Sequence, residues 1–452
     1  MVFFKRSILK LNQSISAMVW PVAIFAIMSG SLQAETTDAL LQLSLRQAKA
    51  LAVQEQVQLK GAQEQTIEMR AHSDETVAGY RPSVEFKASQ VRQTENLKAM
   101  GFDFVGFPTM VGPFNTFDAR VRLTQRVFDL SLLRNIDAAG HAVNAAQLHT
   151  QAIAQQVAGA AAFAYVEAQR SAQAVLAANA NLELSASLLR LAQDQHKAGL
   201  GTGVDVVRAE NVHSRNTLAQ RQAISAAREA DTRLRRALGI AMGTPLALTD
   251  PLQAKEAPMP HLPLALEAAL QHRPELEALQ QVIAQRSSER GAAAVANLPT
   301  VSLAGDVGPS GVTPAHNDYR TYSFGMQLSI PLLEGGAINA RQDVAASRLR
   351  QAELELQDTN QQVEEDVRLA LISLETSVDQ VKTAATSLTL AERLLDQARD
   401  RFKTGVGDNL EVVDAQAMLA MARSTRIDAL ASYQMALINY QLSIGEMDYA
   451  AP

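Results

Sequence analysis

The residues with most chemistry to offer are four carboxylates and an arginine gathered about two glycine-rich turns. Asp205 and Arg208 follow Gly199-x-Gly201; Asp408, Glu411 and Asp414 follow Gly405-x-Gly407. Rings of such charges set ion selectivity at a pore mouth, and single acids in these places cap helix N-termini. Nothing comparable points to catalysis. The eight His residues are scattered, and His141 and His149 sit eight apart among Ala, Gln and Leu, which suits packing better than metal ligation. There is no cysteine, hence no disulfide, thiolate site or lipidated N-terminal Cys. No nucleophile elbow or P-loop occurs. An enzyme, a metal centre and a bound cofactor are all disfavoured.

The turns recur because a long stretch of chain recurs. Shifted by 206 positions, Leu191–Gly239 falls on Gln397–Gly445 without a gap, matching Ala192, Asp194, Lys197, Val206 and Gly239 with Ala398, Asp400, Lys403, Val412 and Gly445. The unit is too long for a solenoid and reads as a duplicated half. Each copy describes a helical hairpin: a basic last turn, a glycine at the C′ position, then Thr202-x-x-Asp205 or Asp408-x-x-Glu411 as the next N-cap. One position reverses charge between copies, since Arg208 falls where the second has Asp414.

What positions the turns is helix of unusual length. No proline occurs between Phe114 and Thr244 or between Leu332 and Ala451. Asn135–Lys197 alone would reach roughly 90 Å at 1.5 Å per residue. Val157, Ala161, Ala164 and Ala168 form a seam of mostly small residues, as in a packed helical wall rather than a thick core.

Before each long helix stand two alternating segments: Ser83–Gln90 with Phe117–Thr124, and Val301–Val307 with Tyr322–Ile330. Val84 and Phe86 alternate with Glu85 and Lys87; Phe324 and Met326 alternate with Ser323 and Gln327. One apolar and one polar face at this length is the pattern of an outer-membrane strand. The connecting loops are expected at Val91–Asn115 and Gly308–Thr321. Ser44–Gly79 and Leu264–Ala296 read as amphipathic helices leading into them through Pro82 and Pro299. Ala241–Pro263, with five prolines, reads as a linker.

Residues 1–34 have the form of a secretory signal: Lys5, Arg6 and Lys10, then an apolar stretch from Ala17 to Met28, then Ala34. After Ala34 no apolar run is long enough for a membrane helix. The organisation read from sequence is therefore a signal (1–34), a first repeat (35–240), a linker (241–263), a second repeat (264–446) and a short tail (447–452). A net charge of −6 with 5% aromatic residues argues against nucleic-acid binding.

Together these motifs resemble the TolC-type outer-membrane efflux family. The resemblance rests on the paired tips, complete as Arg401-Phe402-x-x-Gly405-x-Gly407 in the second copy, on Arg273-Pro-Glu-Leu276, and on Ser329-Ile-Pro-Leu-Leu-Glu-Gly-Gly336. The first tip departs from the pattern, with Gln195-His196 in place of an Arg-aromatic pair. The resemblance covers about Leu43–Gly445. It implies a mainly α fold with a small β part, in which a homotrimer closes one 12-stranded barrel in outer-membrane lipid and long helical hairpins continue as a periplasmic tunnel. It also implies docking of a periplasmic adaptor protein and an inner-membrane pump (RND or ABC type) at the tips. Gly199, Gly201, Gly405, Gly407 and Phe402 would then serve docking, and Asp205, Arg208, Asp408, Glu411 and Asp414 the aperture. The competing reading is a non-conducting periplasmic coiled-coil adaptor or scaffold, which would have no use for four strands with one apolar face.

Overall fold

The computed structural model describes residues 40–449 apart from 103–104, 107, 256–257, 318 and 405. The signal expected at 1–34 lies outside the described residues, as does Gly405. The first elements are β1 (Leu41–Leu43), α1 (Leu45–Glu55), α2 (Val57–Ala78), β2 (Ser83–Asn96) and β3 (Met110–Phe128). They lead into α3 (Leu130–Lys197) and α4 (Gly203–Leu238). After β4 (Leu246–Leu248) the series continues with α5 (Leu262–His272), α6 (Pro274–Ala294), β5 (Thr300–Gly311), β6 (Tyr319–Ser329), α7 (Ala337–Lys403) and α8 (Asn409–Ser443).

The two long helices have 68 and 67 residues, so each spans about 100 Å. Asp129 starts α3 by accepting from the Leu132 amide at 2.9 Å. Small residues then let several helices approach α3 at once. Ala154, Val157, Ala161 and Tyr165 pack with Ala48 and Ala52 of α1 and with Ala230, Leu234 and Leu238 of α4. One face over, Ala158, Ala162 and Val166 pack with Ala431 and Ile438 of α8. The lower wall thus runs α4, α3, α8, α7; above the ends of α4 and α8, the neighbours of α3 are α2 and α6.

Four strands form one antiparallel sheet in the order β2-β3-β5-β6. Its register sets whole rows of like residues side by side. Phe86, Val121, Val307 and Tyr322 form one apolar row, and Val84, Leu123, Gly305 and Phe324 the next. Glu85, Arg122, Asp306 and Ser323 form a row on the opposite face. Among the described residues no element covers the apolar face: Tyr322 is 82% and Phe324 75% exposed. Strands β2 and β6 leave open edges, which cannot face lipid unpaired.

Several boundaries differ from the sequence reading. The loops are shorter than expected, since β2 runs on to Asn96 and β3 begins at Met110. Ladder pairing continues there past a bulge between Gln93 and Glu95, after side-chain alternation has ended. Each expected amphipathic helix is two. The first breaks at Gln56, whose backbone turns extended and whose side-chain amide donates to Arg236 O and Ala237 O at 2.7 and 2.9 Å, capping the end of α4. The second breaks at Arg273, where the following Pro274 excludes helical geometry. The linker holds β4, paired in parallel with β1 through Leu41–Leu246 and Leu43–Leu248. Three residues are too few for a period to show.

Candidate functional site: hairpin tips and the polar strand face

The two tips close in the same way. In the first, the carbonyl of Gln195 accepts from the amides of Leu200 (2.9 Å) and Gly201 (3.2 Å), with Gly199 at φ +75°. In the second, the carbonyl of Arg401 accepts from Val406 and Gly407, both at 3.0 Å. A Cβ on Gly407 would lie 2.9 Å from Arg401 Cβ, so the turn needs a glycine there. Both turns push an apolar side chain into solvent: Leu200 is 83% and Val406 74% exposed. Phe402 does not join them. It is buried with Leu188, Leu395, Val412 and Ala415, where it fixes the packing beneath the tip.

The hairpins are tied to each other. Asn409 Nδ2 donates to the carbonyl of Asp205 at 3.0 Å, and Gln195 Nε2 to that of Phe402 at 3.3 Å. Gln195 is one of the two residues that break the motif of the first tip, and this bond gives it a use of its own.

The expected aperture residues divide. Thr202 and Asp205 form a closed capping box, with Thr202 Oγ1 2.6 Å and Thr202 N 2.9 Å from Asp205 Oδ2. The Thr202 hydroxyl is the main cause holding the Asp205 carboxyl below its ordinary pKa. Arg208 folds back to within 3.7 Å of the same carboxylate. Asp408 caps α8 through the Leu410 amide at 3.2 Å, but Glu411 does not close a second box. It pairs with Arg401 at 3.4 Å. Asp414 is exposed and has no ion-pair partner among the described residues. Within one chain Arg208 and Asp414 form no ion pair. At His141, Nδ1 lies 2.9 Å from Gln281 Oε1.

A second polar cluster went unread in the sequence. On the polar face of the sheet, Arg120 donates to Asp306 Oδ1 at 2.6 Å, to Asp118 at 2.8 Å and to Thr321 Oγ1 at 2.8 Å. Ser323 Oγ completes it by donating to Asp306 Oδ2 at 2.7 Å. The network crosses three strands, and only the alternation of Asp118, Arg120 and Arg122 on β3 hinted at it.

The outer membrane efflux protein family model matches residues 265–446. The chain is 28% identical over 270 residues to the alkaline protease secretion protein AprF of Pseudomonas aeruginosa, covering 58% of this chain and 55% of AprF. It is 23% identical over 286 residues to nodulation protein T of Rhizobium leguminosarum bv. trifolii, covering 62% and 61%. Its matches thus span less than two thirds of these relatives. The fold superposes on the CmeC outer membrane channel of Campylobacter jejuni with a TM-score of 0.80, at 17% identity, over 89% of this chain and 85% of CmeC.

Residues 265–446 are thus similar to the outer membrane efflux protein family. The family match falls on the second half, from α5 through α8, and so includes the second tip with Phe402, Asp408, Glu411 and Asp414. The first tip, where Gln195 and His196 replace the usual pair, lies outside that span. In this chain His196 Nδ1 sits 3.2 Å from the Gly201 carbonyl, so both departures serve to close or tie the turn. No helix among the described residues is long and apolar enough to cross a membrane.

Proposed function

We propose that three copies of this chain form an outer-membrane channel continued by a periplasmic helical tunnel, the exit duct of a tripartite efflux pump or type I secretion system. The observation that carries this reading is the sheet, with an exposed apolar face and two open edges. Four strands cannot close on themselves. Pairing β6 of one copy with β2 of the next gives twelve strands and no edge, with the Arg120 network facing the water-filled lumen. The channel does no chemistry of its own. An adaptor without a pore would need no such sheet.

The purified protein is expected to extract from outer membranes as a heat-modifiable trimer and to conduct in planar bilayers. A protein that stays monomeric and silent would count for the adaptor reading instead. Asp414 is the carboxylate at the tips left free to face the aperture, so Asp414→Arg should change single-channel conductance. An unchanged trace would confine Asp414 to solvating its helix.

The far end of the tunnel receives a periplasmic adaptor and an inner-membrane pump of the RND or ABC type. Leu200 and Val406, thrust out by the two turns, the second of which needs Gly407, offer apolar anchors for that contact. Leu200→Asp with Val406→Asp should abolish export by cells while trimers still assemble and conduct. Export at the original level in that double variant would remove the tips from docking.

A further inference from the structure

The proline-rich linker between the two halves is sewn down across two helices. On α3, Tyr165 Oη accepts from the Asp250 amide at 3.3 Å, and Gln169 Nε2 donates to the Asp250 carbonyl. On α8, Tyr433 Oη donates to the Lys255 carbonyl at 2.6 Å and Gln434 Nε2 to the Gln253 carbonyl at 3.2 Å. Between these stitches the linker roofs a cavity of about 360 Å³, walled by α1, α3 and α8. That volume is at the small end of the range of small-molecule sites, about 300–1,000 Å³.

Lys49 lines this cavity from α1 and is buried, 7% exposed, without a partner that would justify its burial. Its ammonium meets a thioether, Met447 Sδ at 3.9 Å, and pairs with no carboxylate among the described residues. The acid closest in chain and charge, Asp448, is held by Arg46 at 3.2 Å. Burial lowers the pKa of the ammonium, an effect that Asp448 opposes and Arg46 adds to. A charge taken out of water without a partner destabilises the fold, and a counter-ion relieves much of that penalty.

The rest of the wall limits what that counter-ion can belong to. Lys255 adds a second ammonium on the exposed linker, and Asp250 one carboxylate, whose Oδ2 already accepts from the Leu45 amide at 2.7 Å. Two ammonium groups against one engaged carboxylate leave the cavity net positive. The side-chain amide of Gln441 has no hydrogen-bond partner among the described residues and is a further donor. The tyrosine hydroxyls are already spent, that of Tyr165 donating to the Leu43 carbonyl at 2.9 Å. Leu437 and Ile438 supply apolar surface. No arginine lines the cavity among the described residues, so the planar fork that favours phosphate is missing. An ammonium, a free amide and an apolar wall suit a carboxylate carried on an apolar body.

We propose that the cavity beneath the linker binds a small organic monocarboxylate. The carboxylate sits beside Lys49 Nζ, Gln441 turns its amide onto the same group, and the apolar body lies against Leu437 and Ile438. The site lies within one chain and needs no second copy.

Benzoate is the probe, with benzyl alcohol as the same ring without the charge and inorganic phosphate as an anion without the ring. Calorimetry on the detergent-solubilised full chain, after subtraction of uptake by empty micelles, should find saturable benzoate binding. Benzyl alcohol and phosphate should each bind about tenfold more weakly or worse, the loss expected for a missing charged hydrogen bond or apolar contact. Lys49→Met keeps most of the side chain's bulk and removes its charge. It should abolish benzoate binding and raise the unfolding temperature of the unliganded protein. Gln441→Leu should weaken benzoate about threefold or more, with helicity by circular dichroism kept. Wild-type protein that does not bind benzoate would overturn the proposal, as would Lys49→Met that binds it unchanged. Benzyl alcohol or phosphate binding as tightly as benzoate would overturn it too. If Lys49→Met does not fold, Gln441→Leu decides, and an unchanged affinity there would overturn the site.

Discussion

Phe324→Arg is expected to cost about 2–4 kcal/mol of stability near the bilayer midplane. Phe324 ends the row that runs from Val84 through Leu123 and Gly305, and it stands 75% exposed on a face that no described element covers. In lipid that row has only hydrocarbon beside it, and a guanidinium there loses its water with no partner. Val121→Arg, in the neighbouring row, should behave alike. Ser323→Arg is the control, one residue along the same strand but on the polar face beside Asp306. A new cation there meets a carboxylate and water. Heat dissociation of trimers and urea unfolding in vesicles would report the contrast. Equal losses in all three variants would refute the assignment of faces.

Gly445→Ala should be far more damaging than the addition of a single methyl group usually is. Gly445 follows the end of α8 at φ +75°, and a Cβ there would lie 2.6 Å from the carbonyl oxygen of His272 and 2.7 Å from its carbon, at the end of α5. The left-handed backbone costs a non-glycine residue about 1–3 kcal/mol. Overlap with main chain, which cannot rotate aside, adds about 1–3 kcal/mol. Gly239 repeats the arrangement in the first half: φ +73°, with its Cβ position 2.9 Å from the Glu55 carbonyl carbon at the end of α1. Gly243→Ala, where nothing lies within 4 Å, is the comparison. If urea unfolding found Gly445→Ala as stable as Gly243→Ala, the close approach would carry no energetic weight.

Much of this architecture was legible in the sequence because it depends on period and punctuation. Proline-free spans marked α3 and α7, alternation marked the centres of four strands, and the shifted repeat paired Gly239 with Gly445. The repeat could not say what those glycines press against, since Glu55 and His272 lie far away in the chain. Nor could it divide the acids at the tips. Asp205, Asp408, Glu411 and Asp414 look alike in sequence, yet the first two cap helices and Glu411 holds Arg401; only hydrogen-bond geometry separates Asp414 from the rest. Phe402 was read with the glycines as part of a docking motif, whereas its contacts place it in the packing beneath them. The short β1–β4 pair and the Arg120 network escaped because each joins segments from opposite halves of the chain.

The returning helices stop at Gly239 and Gly445, about half-way up the descending ones, and this has a mechanical meaning. From those glycines to the tips the lever arm is some 35 residues, or roughly 50 Å. A swing of about 5° at that fulcrum carries a tip about 4–5 Å sideways, the width of a partly hydrated ion. Helix pairs tolerate angular scatter of about 15–20° without changing their mode of packing. In the proposed trimer, an aperture ringed by such arms would widen by small tilts shared among them, with no helix unwinding and no core opened.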